Sequence, residues 1–253
     1  MIHSFLLVGQ SNMAGRGFPS EVEPIDTQGL LVLRNGRWIS MFTPVNPDKS
    51  VAGVNLAESF ARRYADEHGV EVGLIPCAYG GSSLDMWQVG GLLFDYACYM
   101  TELASRTSTV VGILWHQGES DSSAERYPEY EEKLTVILRA LRERTGLTDV
   151  PLILGGLGDF LSENTDPVRV EKLRYYDKVN EAIVRVAERE ERCGFASARG
   201  LSHNGDYLHF NASALRELGL RYYEEFKRLE APSREYSERA TADSVIHTEF
   251  ENL

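Results

Sequence analysis

Cysteine is scarce, with three residues (Cys77, Cys98 and Cys193) in a chain of 253. That is too few and too scattered for a disulfide framework or a zinc-ligand pattern, so reduced, buried thiols are expected. Positive charge is also short: 26 Lys and Arg face 38 Asp and Glu, a formal net charge of −12, and the basic residues form no run. Phosphate backbones need a basic surface, so no nucleic-acid partner is expected. The same field repels acidic substrates and membranes unless a local Arg overrides it in a cleft. Long apolar runs are missing too. None is long enough to span a bilayer, and Met1–Gln10 lacks the basic start and small-residue cleavage site of a signal peptide. A cytoplasmic protein without a membrane partner is expected, although a mature secreted form without its leader has the same look. A homo-oligomer is left open.

What is present is 43% hydrophobic and 25% charged residues, the balance of a chain with a substantial core. Strand-length apolar runs alternate with longer amphipathic stretches. Strands are expected at Ser4–Val8, Val70–Ile75, Thr109–Trp115, Pro151–Leu154 and Cys193–Ala198. Leu30–Leu33 and Arg37–Ile39 flank Asn35-Gly36, a two-residue hairpin signal. Helices are expected from an Asn55 cap to about His68, with Gly69 past the end, then over Phe94–Ser105, Tyr130–Arg144, Val170–Glu191 and Ala212–Leu229. Such alternation predicts an α/β fold, a central parallel sheet with helices on both faces. No repeat or linker interrupts it. Residues 1–230 therefore read as one domain, and 231–253 as a polar tail without a strong pattern.

In such sheets ligands bind beyond the carboxyl ends of the strands. Four loops there carry unusual polarity. Gly9-Gln10-Ser11-Asn12-Met13-Ala14-Gly15 follows the first strand and puts a serine hydroxyl at the sheet's rim, with its own amide free to meet a negative oxygen. Taken alone, that serine is more often a helix cap. Cys77–Ser83 contains Gly80-Gly81, which lets a backbone N–H approach a ligand; the plain alternative is a tight turn. Trp87 beyond it suits stacking on a sugar or, more commonly, packing. Trp115-His116-Gln117-Gly118-Glu119-Ser120-Asp121 offers a side-chain donor at Gln117 and a carboxylate at Glu119 that could orient neighbours or bind hydroxyls. No acid stands at a spacing that clearly orients His116 as a base. In His203–Asn211, Asp206 lies three residues before His209, close enough to fix its tautomer and stabilise its charged form. Each loop is weak alone. Their joint placement, in the order Ser, Asp, His, carries the reading.

These blocks resemble the SGNH hydrolases, and within them the branch of acetylxylan esterases and sialate O-acetylesterases (carbohydrate esterase family 6-like). The match covers roughly residues 2–225. The resemblance implies a flavodoxin-like three-layer α/β/α fold and no cofactor. It implies Ser11 as nucleophile, His209 as general base and Asp206 as its orienter. It places the oxyanion hole at the amides of Ser11 and the Gly80-Gly81 turn, Gly81 above all, with Gln117 standing where the wider family has Asn. Glu119 is an acid partner in parts of the branch. Gln10, Arg16, Gly80, Trp87 and Glu119 are expected to support the site or touch substrate, Arg16 as a possible carboxylate ligand.

The expected chemistry is serine-dependent removal of acetyl groups from an acetylated oligosaccharide or polysaccharide. Neutral xylan-type chains fit the acidic balance better than sialate does. Two rivals come from other classes. A metal-assisted hydrolase would use His203, Asp206 and His209 with His116 near, and leaves the Ser11 loop unexplained. A non-catalytic carbohydrate-binding domain would have no need of a Ser–Asp–His set.

Overall fold

The computed structural model describes residues 1–230; the tail expected at 231–253 lies outside the described residues. Seven strands make one sheet: β1 (Ile2–Gly9), β2 (Leu30–Arg34), β3 (Arg37–Ser40), β4 (Glu71–Pro76), β5 (Thr109–His116), β6 (Leu152–Gly155) and β7 (Cys193–Ala196). Their spatial order is β3-β2-β4-β1-β5-β6-β7. All neighbours are parallel except β2 and β3, the antiparallel hairpin turned by Asn35 and Gly36, both at positive φ.

Among the described residues there are seven α-helices, six between strands and one after the last: α1 (Ser11–Ala14), α2 (Leu56–His68), α3 (Leu92–Ala104), α4 (Tyr130–Thr145), α5 (Pro167–Leu173), α6 (Tyr176–Arg189) and α7 (Ala212–Leu229). Helices α2 and α7 pack together against one face of the sheet, while α3, α4 and α6 line the other. Strand periodicity decides which side chain meets which layer. Phe5 of β1 meets Phe60 and Tyr64 of α2 and Phe226 of α7 edge-on, with centroids 4.8–5.4 Å apart. On the opposite face Trp115 of β5 packs against Trp87 at 5.4 Å. The three-layer α/β/α expectation stands, with one antiparallel edge strand added.

Two local expectations change. The helix after Ser11 is a single turn, with Gln10 at its N-cap position and Ser11 as its first helical residue. The stretch expected as one helix over Val170–Glu191 is two, starting earlier and broken at Arg174-Tyr175. Asp166 caps the first piece by accepting from the Val168 and Arg169 amides at 2.9 and 3.1 Å, and Pro167 fills the first helical position. The break has a tertiary cause. The Tyr175 amide donates to Ser122 O at 2.9 Å and its ring stacks on Tyr127 at 4.2 Å, contacts with a loop that a one-helix pattern ignores. The three cysteines are free and buried.

Candidate active site

Strands β1, β4 and β5 end side by side, and their exit loops converge with the loop before α7. Ser11 is 6% exposed. Its Oγ lies 3.0 Å from His209 Nε2, and His209 Nδ1 lies 2.6 Å from Asp206 Oδ2. The other carboxylate oxygen, Oδ1, accepts from the amides of Leu208 and His209 at 2.9 and 2.8 Å. Burial works to raise the Asp206 carboxyl, but the His209 ring, these amides and the attraction of the imidazole together hold it down at about 2. The turn is sharp enough to force Tyr207 to φ +52°, a left-handed conformation rare for an aromatic residue. Asn164 and Arg169 secure it from outside by donating to Tyr207 O and Asp206 O.

The Gly80-Gly81 turn is tied to the end of β1, where the Tyr79 amide and Ser82 Oγ donate to Gly9 O at 3.0 and 3.3 Å. The Gly80 amide is taken, donating to Asp48 Oδ2 at 2.7 Å. Gly81, at φ +82°, presents an N–H with no acceptor among the described residues. The amide of Ser11, first in its turn, also lacks an intrahelical acceptor. The amides of Ser11 and Gly81 are thus left without an acceptor among the described residues, whereas that of Gly80 is not.

Three expectations are corrected by what the side chains touch. Trp87 is fully buried, so no face is open to a sugar; its Nε1 donates to Ser82 Oγ at 2.9 Å and so braces the glycine turn. Gln117 is fully buried, and its Nε2 donates to Ser82 O (3.1 Å) and Asp121 Oδ2 (2.5 Å). Both its protons are spent, leaving none for a substrate oxygen. Arg16 is committed to Asp48 in a bidentate pair of 3.0 and 2.7 Å and to Gly15 O, so it is not a free carboxylate ligand. Gln10 ties two loops together, its Oε1 accepting from the Gly118 and Ser120 amides.

Glu119 does not reach the His209 pair. Its Oε1 accepts from Asn12 Nδ2 at 2.5 Å and lies 3.8 Å from His116 Nε2. Asn12 also donates to Leu208 O (3.3 Å) and accepts from Phe210 N (3.2 Å), the residues on either side of His209. Asn12 and Asp48 were missed in the sequence. The first sat inside a recognised block without an assigned role, and Pro47-Asp48-Lys49 gives no local signal.

The metal-site alternative finds no donor set. His203 Nδ1 accepts from the Gly205 and Tyr207 amides, and its ring stacks on Tyr207. No group of three or more His, Cys, Asp or Glu among the described residues is arranged to hold a metal ion. Two open clefts, of about 530 Å³ beyond β6 and β7 and about 310 Å³ beside Tyr79 and Tyr96, lie near this rim; neither is lined by Ser11, Asp206 or His209.

A probable carbohydrate esterase of Arabidopsis thaliana is 28% identical over 243 residues, covering 85% of this chain and 86% of its own. An X-ray structure of the Arabidopsis thaliana protein of that locus superposes with a TM-score of 0.77 at 26% identity, over 89% of this chain and 98% of the other. A carbohydrate acetylesterase from Xanthomonas citri shares the fold, with a TM-score of 0.68, 18% identity, and coverage of 90% of this chain and 56% of that one. The model of the carbohydrate esterase, sialic acid-specific acetylesterase family matches residues 1–228. Nearly the whole described chain lies inside that match, and the chain therefore belongs to this family of hydrolases acting on carboxylic esters of sugars.

Proposed function

We propose that the protein is a serine carbohydrate acetylesterase working through an acetyl-enzyme. The observation that carries the reading is the unbroken relay from Asp206 Oδ2 through His209 to Ser11 Oγ, with steps of 2.6 and 3.0 Å. His209 Nε2 takes the Ser11 proton as Oγ bonds to the acetyl carbon. The carbonyl oxygen, now negative, is received by the amides of Ser11 and Gly81; one such donor contributes roughly 3 kcal/mol to lowering the barrier. The C–O bond to the sugar breaks as His209 returns the proton to the leaving oxygen. Water then gives a proton to His209 and attacks the acetyl group, and the proton passes back to Ser11 as acetate leaves. Asp206 keeps its charge throughout and balances the imidazolium.

A neutral, xylan-type chain is the proposed carrier of the acetyl group. Arg16 is already neutralised by Asp48, and the formal charge of −12 disfavours anionic substrates. O-acetyl sialate is the second reading. It is favoured by the family's description and by Lys49, whose Nζ donates to Gly80 O at 2.7 Å beside the free Gly81 amide and has further protons for a carboxylate.

The test is hydrolysis of p-nitrophenyl acetate, butyrate and octanoate by wild type and Ser11→Ala, with and without chelator. Acetate-preferring, chelator-insensitive turnover lost in the variant is expected; turnover that survives Ser11→Ala overturns the mechanism. Acetate release from acetylated xylo-oligosaccharide against O-acetyl sialate then decides the carrier.

A further inference from the structure

Beneath the nucleophile lies a polar cluster for which the proposed chemistry has no use. His116, Glu119 and Tyr222 are buried, His116 and Tyr222 completely. Their hydrogen bonds fix where the protons are. Tyr222 O–H donates to Trp115 O at 2.7 Å, and a carbonyl oxygen can only accept. The phenol's single proton is thereby used, so its contact with His116 Nδ1 at 3.1 Å requires Nδ1 to be the donor. The opposite nitrogen, Nε2, has no hydrogen-bond partner and looks at Glu119 Oε1 from 3.8 Å; Glu119 Oε2 is buried without a partner as well. A neutral ring would aim its Nε2 lone pair at the carboxylate, whereas a proton on Nε2 gives that buried carboxylate a counter-charge.

We propose that His116 is a resident buried imidazolium, and that its charge keeps Glu119 an anion whose grip on Asn12 holds the His209 loop in line with Ser11. The surroundings are built to take it. Gly155 of β6 leaves the space that ring and phenol occupy, since a Cβ there would come within 1.9 Å of Tyr222 Oη and 2.3 Å of His116 Nδ1. The Phe210 ring meets the imidazole edge-on at 5.7 Å. The other titratable groups facing the pair are Tyr222 of α7, Tyr130 of α4 and Asp121. Burial pushes both phenols well up, so they stay neutral. Asp121 is engaged by Gln117 and the Leu84 amide. Burial alone would raise the Glu119 carboxyl, but the His116 ring and Asn12 bring it below its ordinary value. From Glu119 the path is short: Oε1 to Asn12 Nδ2, then Asn12 to Leu208 O and Phe210 N around His209. His116, Glu119 and Asn12 are positioning residues; none is placed to move the reacting proton.

This inference rests on the serine-esterase reading for its kinetic consequence but not for its charge state, and two measurements separate them. In ¹⁵N-histidine NMR of the full chain, His116 is expected to carry protons on both ring nitrogens. In Glu119→Gln, which can still accept from Asn12, it should carry one, and kcat on p-nitrophenyl acetate should fall roughly 10- to 100-fold with KM within about twofold. Should Glu119→Gln fail to fold, the neutral pair His116→Gln/Glu119→Gln is expected to melt higher than His116→Gln, which leaves the Glu119 carboxylate buried without its counter-charge. A singly protonated His116 in the wild type overturns the charge assignment, as does a double variant that melts no higher than His116→Gln. Unchanged kcat in folded Glu119→Gln overturns the positioning role. Absence of any ester turnover in the wild type defeats the serine reading instead, while the NMR result still decides the pair.

Discussion

Two carboxylate–imidazole pairs of the same sequence spacing stand near Ser11, Asp206 with His209 and Glu119 with His116, and they differ in almost every physical respect. The first is wet: its side chains are 31% and 19% exposed, the contact is 2.6 Å, and both carboxylate oxygens are engaged. The second is enclosed: the side chains are 3% and 0% exposed, the contact is 3.8 Å, and one atom of each partner has no hydrogen bond to the protein. Solvent access gives the first pair what general-base work needs, a ring that can gain and lose a proton at small reorganisation cost. Enclosure gives the second a fixed charge in a fixed place. A histidine beside an acid is therefore not enough to identify a base; the path of protons in and out of it decides.

The comparison can be broken most sharply by removing each imidazole in turn. His209→Ala should cost roughly 10⁴-fold or more in kcat on p-nitrophenyl acetate, with little change in the denaturant midpoint. Asp206→Asn comes next, with a loss of roughly 10³- to 10⁴-fold, because an amide can hold His209 in the wrong tautomer. His116→Ala should show itself first in stability, lowering it by about 3–5 kcal/mol in urea unfolding, since it strips the partner from a buried carboxylate. If His116→Ala costs turnover as heavily as His209→Ala while the fold stays as stable as wild type, the assignment of roles to the two pairs is reversed.

Much of this was legible in the sequence because the strands and the reactive loops are locally encoded. Asn35-Gly36 dictates the hairpin by its turn chemistry, and the apolar run Thr109–Trp115 can hardly be anything but a central strand. The relay was legible for the same reason, since Asp206 and His209 share one turn. What escaped was set by distant partners. Gln117 offers an amide in the right block, but whether its protons are free depends on Ser82 and Asp121. Trp87 looks like a platform until Trp115 covers it. Arg16 lies next to the nucleophile loop, and only the fold brings Asp48 to it across 32 positions. The broken helix at Arg174-Tyr175 belongs to the same class, as its cause is a loop some fifty positions earlier. Hydrophobic period reports burial; it does not report which polar atoms are already spoken for.

The smallest effect discriminates the wet pair by its acid limb. Asp206 is held at about 2 in the folded chain, below the ordinary aspartate value of 3.8. A depressed carboxyl stabilises the fold above its unfolded value and loses that contribution as pH falls through the folded one. The window is therefore from about pH 4 down to about pH 2, and the contribution at stake is at most about 2 kcal/mol, reduced by solvent screening of a group this exposed. Urea midpoints of wild type and Asp206→Asn should differ above pH 4 and converge toward pH 2. Glu119 is also depressed, but through a partner sealed from water, so its loss on acidification requires opening the core and should appear as cooperative unfolding rather than a smooth decline. A wild-type curve that parallels the Asp206→Asn curve across the whole range would mean that the Asp206–His209 contact contributes nothing to the folded state, and that its short distance serves the chemistry alone.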